Sequence, residues 1–188
     1  SQFGTDSLRL SLLLGNTPGN DMRIGEEKIS SSRNFINKLW NISRFIIGNS
    51  QNFNDNYDEN KLSLSDKWLL NRLNQTIKKA TQSIADYKFS LAGEDLKNFT
   101  WNDLADWYLE AKKFEKDDNN EKILMFVLKN VLKLWHPFIP FVTEVIWSEL
   151  NEEKLLMVNK WPTENNIDFE MEENNFELIK EIITSVRN

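Results

Sequence analysis

From Gly25 to Ile47 the chain runs without a proline or an internal glycine, and Ile29, Phe35, Ile36, Leu39, Trp40, Ile42, Ile46 and Ile47 supply its apolar positions. At about 3.6 residues per turn most of these fall on one side of a helix, whereas a strand would scatter them over both faces. A helix this long has to bury its stripe against neighbouring elements. Six glycines and four prolines in 188 residues are too few for the turns of a many-stranded sheet. The expected fold class is all-α, a helical bundle.

The rest of the chain reads the same way. Thr5 and Asp6 are candidate N-caps for a short helix over 8–14, halted by the turn-rich run Gly15-Asn16-Thr17-Pro18-Gly19-Asn20-Asp21. Gly48 should end the long helix, and the Asn-rich segment 49–60 reads as a mobile linker with too little apolar surface to bury. Ser65 and Asp66 can cap a helix through Trp68, Leu69, Leu73, Ile77, Ala80, Ile84 and Tyr87. A helical period continues over 89–114, with Gly93 as a tolerated weak point, and 115–121 is a charged turn. A helix over 123–135 follows, stopped by Pro137. Beyond it come a helix over 143–150, a short extended segment at 155–158, and a closing helix over 169–186. The organisation predicted is 1–24, a connector; 25–150, the bundle; and 151–188, an extension carrying the closing helix.

Composition removes several chemistries. With no cysteine and one histidine, disulfides, thiol nucleophiles and thiolate or multi-histidine zinc sites are excluded. His136, between Trp135 and Pro137, reads as a packed, hydrogen-bonded ring, and the seven tryptophans mostly as core. No catalytic or metal-binding residue is assigned. No run approaches the roughly 20 apolar residues of a membrane span, and no signal-peptide pattern opens the chain, so a cytoplasmic protein is expected. The net charge of −6 argues against a nonspecific nucleic-acid coat, and no DNA partner is expected. Residues 164–181 hold seven acidic side chains against Lys180, an excess equal to that of the whole chain.

A wheel of the long helix, drawn at about 100° per residue, gathers Asn34, Asn37, Lys38, Asn41, Arg44 and Phe45 in one arc. Phe35, Ile36, Leu39, Ile42, Ser43 and Ile46 occupy the opposite arc, so the core face is complete without Phe45. Between Lys28 and Ile47 there are four basic residues and no acidic one. An aromatic ring among amides and cations suits unpaired RNA bases: the ring stacks, amides read base edges, cations meet phosphate. Equally, Phe45 could pack on the following loop or a neighbouring helix, and periodicity leaves both readings open.

Three blocks carry a family resemblance. They are Thr5-Asp6-Ser7-Leu8-Arg9 with the 15–21 loop; Arg33-Asn34-Phe35-Ile36-Asn37-Lys38-Leu39-Trp40-Asn41-Ile42-Ser43-Arg44-Phe45; and Asp106-Trp107-Tyr108-Leu109-Glu110-Ala111-Lys112 with the Trp135-His136-Pro137-Phe138-Ile139-Pro140-Phe141 run. Together with 182–188 they resemble the anticodon-binding domain of valyl-tRNA synthetases, class I aminoacyl-tRNA ligases. The His-Pro-Phe run is shared with isoleucyl and leucyl relatives, whereas the first two blocks look like the valine pattern. The alternatives are an isoleucyl or leucyl relative, or a helical protein-interaction scaffold.

The resemblance implies a module that holds the anticodon stem-loop of tRNA(Val) and docks on its own enzyme's catalytic domain. ATP and Mg would serve that domain, and no cofactor is expected in this chain, which should be inactive alone. Residue by residue, the family's anticodon contacts fall on Lys38, Asn41 and Phe45, with Asn34, Asn37 and Arg44 on the same stripe and Arg33 and Trp107 as secondary candidates. Stem contacts would lie near 5–21. One departure is Glu27, where some relatives carry a basic residue. On this reading the acidic 164–181 stretch should face away from the RNA.

Overall fold

The computed structural model describes residues 3–15, 24–50, 52–113, 117–165 and 169–187. Among the described residues eight α-helices follow one another: α1 (Thr5–Leu13), α2 (Glu26–Asn49), α3 (Leu64–Ala85), α4 (Phe89–Asn98), α5 (Glu110–Lys112), α6 (Asp118–Trp135), α7 (Pro140–Ser148) and α8 (Glu170–Arg187). A π-helical segment, Phe99–Leu109, joins α4 to α5 without a break. No strand occurs among the described residues.

The buried face of α2 is Ser32, Phe35, Leu39, Ile42, Ser43 and Ile46, as its period requires. Phe35 packs on Trp135 of α6, ring centroids 4.7 Å apart, and stacks on Trp101 at 6.3 Å. Trp135 is fully buried, and its indole N–H donates to Thr100 Oγ1 at 3.0 Å. His136 is the packed ring the sequence suggested, Nδ1 lying 2.9 Å from Thr143 Oγ1. Helix α2 runs past Gly48 to Asn49. Its first turn holds Glu26 and Glu27, where the exposed backbone N–H groups favour a negative side chain.

Several expectations are corrected. The cap of α3 is Ser63, not Ser65 or Asp66: Ser63 Oγ accepts from Asp66 N, and Asp66 Oδ2 accepts from Ser63 N at 2.8 Å, a reciprocal capping box. Asp6 caps a different helix, its carboxylate accepting from Val142 N at 2.7 Å and Phe141 N at 3.4 Å in the first turn of α7. Arg9 adds bonds to the Pro137 and Phe138 carbonyls. Helix α1 is thereby latched to the α6–α7 corner. Of the 15–21 run only Gly15 is described, and the rest of the expected stem-contact segment beyond it lies outside the described residues.

Gly93 is a close-approach site and no weak point, because a Cβ there would stand 2.3 Å from Leu14 Cδ2. Residues 55–58 of the expected linker are fixed onto α6: Tyr57 packs edge-on against Phe126 at 5.3 Å, Asp58 N donates to Asn119 Oδ1 at 2.7 Å, and Asp55 pairs with Lys129 at 3.3 Å. Helix α6 begins at Asp118 with Asp117 as its cap, which consumes part of the expected charged turn. Pro140 opens α7 at its first turn, ahead of the expected start at 143. The apolar quartet at 155–158 is a 3-10 turn, Leu156–Val158, in which only Leu156 is buried.

Tyr87 belongs to no core face. It is 83% exposed at φ 60, beyond the C-terminus of α3, with its N–H on Ile84 O and Lys88 N on Ser83 O. That is a Schellman stop, normally held by glycine, with a tyrosine in the left-handed conformation. Tyr87→Gly is expected to raise stability by about 0.5–1 kcal/mol, the relieved left-handed strain net of the entropy glycine adds to the unfolded chain, measured as a higher thermal midpoint.

Helix α8 lies mainly on α3. Phe176 stacks on Trp68 at 4.4 Å, Trp68 Nε1 donates to Glu177 at 2.9 Å, Lys67 pairs with Glu172 at 2.9 Å, and Glu173 accepts from Asn71, Arg72 and Gln75. Arg72 also holds Asp103 of the π segment at 3.0 Å. Burial pushes the Asp103 carboxyl above the ordinary carboxylate value, against the pull of Arg72 and Lys180. Glu172, Glu173 and Glu177 of α8 are thus engaged on α3.

Candidate nucleic-acid interface

The polar stripe of α2 faces the π segment across an open groove of about 420 Å³. One wall carries Asn34, Asn37, Lys38, Asn41 and Phe45; the other carries Ala105, Asp106, Leu109, Glu110 and Lys113, with Ile42 at the floor. None of the acidic side chains of α8 lines it. Asn34, Asn37 and Asn41 are exposed, with no side-chain hydrogen bond to another described residue. Their amides, each both donor and acceptor, are open to a ligand.

Phe45 is 42% exposed and lines both this groove and a second hollow of about 380 Å³ bordered by Gly48, Ser50, Lys113, Asn120 and Leu124. Its ring is left as a half-open platform, neither sunk into the core nor covered by the following loop. Ile42 and Ile46 occupy the inward positions of the same turns and are 5% and 2% exposed.

Lys38 is not a free cation. Its Nζ donates to Asp106 Oδ1 at 2.7 Å and lies 3.8 Å from the centroid of the Trp101 ring. Trp101 and Asp106 are five residues apart, the span of a π-helical i→i+5 hydrogen bond, so both reach the same lysine. On a 3.6-residue wheel they fall on different sides, which is why helical periodicity does not reveal this partner. Lys38 retains further N–H donors for a ligand.

The secondary candidates separate from the groove. Trp107 is half-buried on the α8 side, 5.4 Å beneath Lys180 Nζ. Arg33 lines a different hollow, with Thr5, Trp40 and Phe141. Arg44 is exposed on α2 but is not part of the groove wall. Glu27 is also absent from that wall.

A buried polar cluster borders the second hollow through Lys112 and Asn120. Tyr108 OH donates to Asp66 Oδ1 at 2.7 Å and stands 2.8 Å from the Asn120 side-chain amide. Lys112 Nζ reaches Asp66 Oδ1 at 3.3 Å and Ser63 Oγ at 3.0 Å, and the Lys112 and Asp66 side chains are 6% and 5% exposed. This cluster pins α5 and the π segment to the start of α3.

The helical bundle has its counterpart among proteins of known class. The family profile described as "Anticodon-binding domain of tRNA ligase" matches residues 66–188, and the chain belongs to that family. The match includes the Asp106 wall of the groove and stops short of α2. Over its full length the chain is 41% identical, across 200 residues, to a valine–tRNA ligase of Oceanobacillus iheyensis, of which it spans 22%. It is 40% identical over 198 residues to that of Staphylococcus aureus strain MRSA252, covering 99% of this chain and 23% of the relative. The fold matches a chain in the ternary complex of Agrobacterium radiobacter K84 agnB2 LeuRS, tRNA and LeuAMS, with a TM-score of 0.72, 19% identity, and coverage of 87% of this chain and 20% of the other. No described helix is long and apolar enough to cross a membrane.

Proposed function

We propose that this chain binds the anticodon stem-loop of tRNA(Val) and does so as part of a valine–tRNA ligase. The observation that carries the reading is Phe45, held half-exposed between two hollows at the end of a stripe of open amides. A base stacks on the ring, Asn41 reads its edge, and a free Lys38 N–H meets a base or phosphate oxygen. The family match and the valine–tRNA ligase relatives support the choice of RNA. On this reading the second partner is the catalytic domain of the same enzyme, where ATP and magnesium serve valine activation, and this chain needs no cofactor of its own.

The test is equilibrium binding of the 188-residue chain to tRNA(Val), to tRNA(Val) with its central anticodon base replaced, and to tRNA(Ile), over a salt series. The intact valine anticodon is expected to bind most tightly, in a preference that survives added salt while overall affinity falls. Equal binding to all three RNAs would remove the anticodon reading. A preference for tRNA(Ile) would assign the chain to an isoleucyl relative.

A further inference from the structure

The charges in the groove cancel in pairs. Lys38 meets Asp106 at 2.7 Å and Lys113 meets Glu110 at 2.6 Å, so its lining holds two ammonium groups against two carboxylates. Such a surface offers little net field to a phosphate backbone, and recognition there falls to base faces and base edges. The α2 wall supplies the Phe45 ring and amides that donate and accept. Across from it stands a group that only accepts: the Asp106 carboxylate, whose side chain is 49% exposed. Lys38 takes Oδ1 and is itself steadied over Trp101, while Oδ2 accepts no bond from another described residue.

Building on the anticodon reading above, we infer that Asp106 is a specificity-determining residue, accepting a hydrogen bond from the exocyclic amino group of an unpaired adenine or cytosine lodged in the groove. Lys38 remains on Oδ1, holding the carboxylate in place. A uracil or hypoxanthine ring in the same pose would bring a carbonyl oxygen against the carboxylate, leaving two acceptors opposed. Sites built around such a bond reject the analogue that lacks the donor more strongly than an apolar pocket rejects a change of size.

The experiment titrates the 188-residue chain with anticodon-loop hairpins that differ at one loop base at a time, cytosine against uracil and adenine against hypoxanthine. Parent, Asp106→Asn and Phe45→Ala proteins are compared. The parent is expected to prefer the amino-bearing base at one loop position by about tenfold or more. Asp106→Asn should collapse that preference, because its amide can turn either an oxygen or an NH2 group to the base, while retaining affinity for the amino-bearing hairpin. A parent without such a preference, or a preference intact in Asp106→Asn, overturns the assignment. The Phe45→Ala arm separates the two levels: if it binds every hairpin as the parent does, the groove is not the RNA site. If it weakens every hairpin while Asp106→Asn keeps the parental ratio, the RNA site stands and the role of Asp106 falls.

Discussion

Asp66→Ala is expected to lower the unfolding free energy by about 3–5 kcal/mol, seen in urea as a lower midpoint at unchanged slope. Asp66 acts at three contacts together. Its Oδ2 closes the capping box of α3, while its Oδ1 receives Tyr108 OH and faces Lys112 Nζ. Losing a cap alone costs about 1 kcal/mol. The larger part comes from removing, inside one buried cluster, the acceptor shared by Tyr108 OH and Lys112 Nζ, whose side chain is 6% exposed. Two further variants divide the effect. Asp66→Asn keeps a capping oxygen and removes the charge, so it should stay close to the alanine variant. Asp66→Leu with Lys112→Met removes both charges and should recover part of the loss, since a buried pair is often replaceable by apolar side chains, while the cap and the Tyr108 acceptor stay lost. A loss near 1 kcal/mol in Asp66→Ala, the cost of a cap alone, would mean that the Tyr108 and Lys112 contacts to Asp66 contribute nothing, and the buried-cluster account would be abandoned.

Phe45→Ala is expected to weaken binding of the tRNA(Val) anticodon stem-loop by about tenfold to a hundredfold, the range of one base–aromatic stack. The ring is 42% exposed, so its truncation should move the thermal midpoint far less than Asp66→Ala does. Phe45→Trp should restore affinity by keeping a flat π face, which separates stacking from simple occupancy of the groove. An affinity unchanged in Phe45→Ala, in a protein that still melts cooperatively, would transfer RNA recognition to another surface.

The same turn of α2 shows where sequence reading succeeded. Phe35, Leu39, Ile42 and Ile46 are inside, and Asn34, Asn37, Asn41 and Phe45 are outside, because a helix with a 3.6-residue period can bury only one stripe. The opposite wall was illegible. Asp106 stands within a block that matched the family, yet its pairing with Lys38 depends on the π geometry of 99–109, which shifts the phase on which a wheel relies. Caps misled for a related reason. Asp6 has the right identity for the start of α1 and serves α7, because side-chain acceptors go to whichever backbone N–H groups the tertiary fold presents.

By itself the sequence determined the all-α class, the core face of α2 and α3, and the outward stripe that ends in Phe45. These follow from local period and from the scarcity of glycine and proline, and apolar burial acts on them in any packing. Only the tertiary structure decided that Lys38 is already paired, that Gly93 leaves room for Leu14, that residues 55–58 lie on α6, and that Trp107 faces α8. Each of those depends on residues far apart in the chain meeting at a few ångströms, a distance set by how the helices pack and invisible to the period within any one of them.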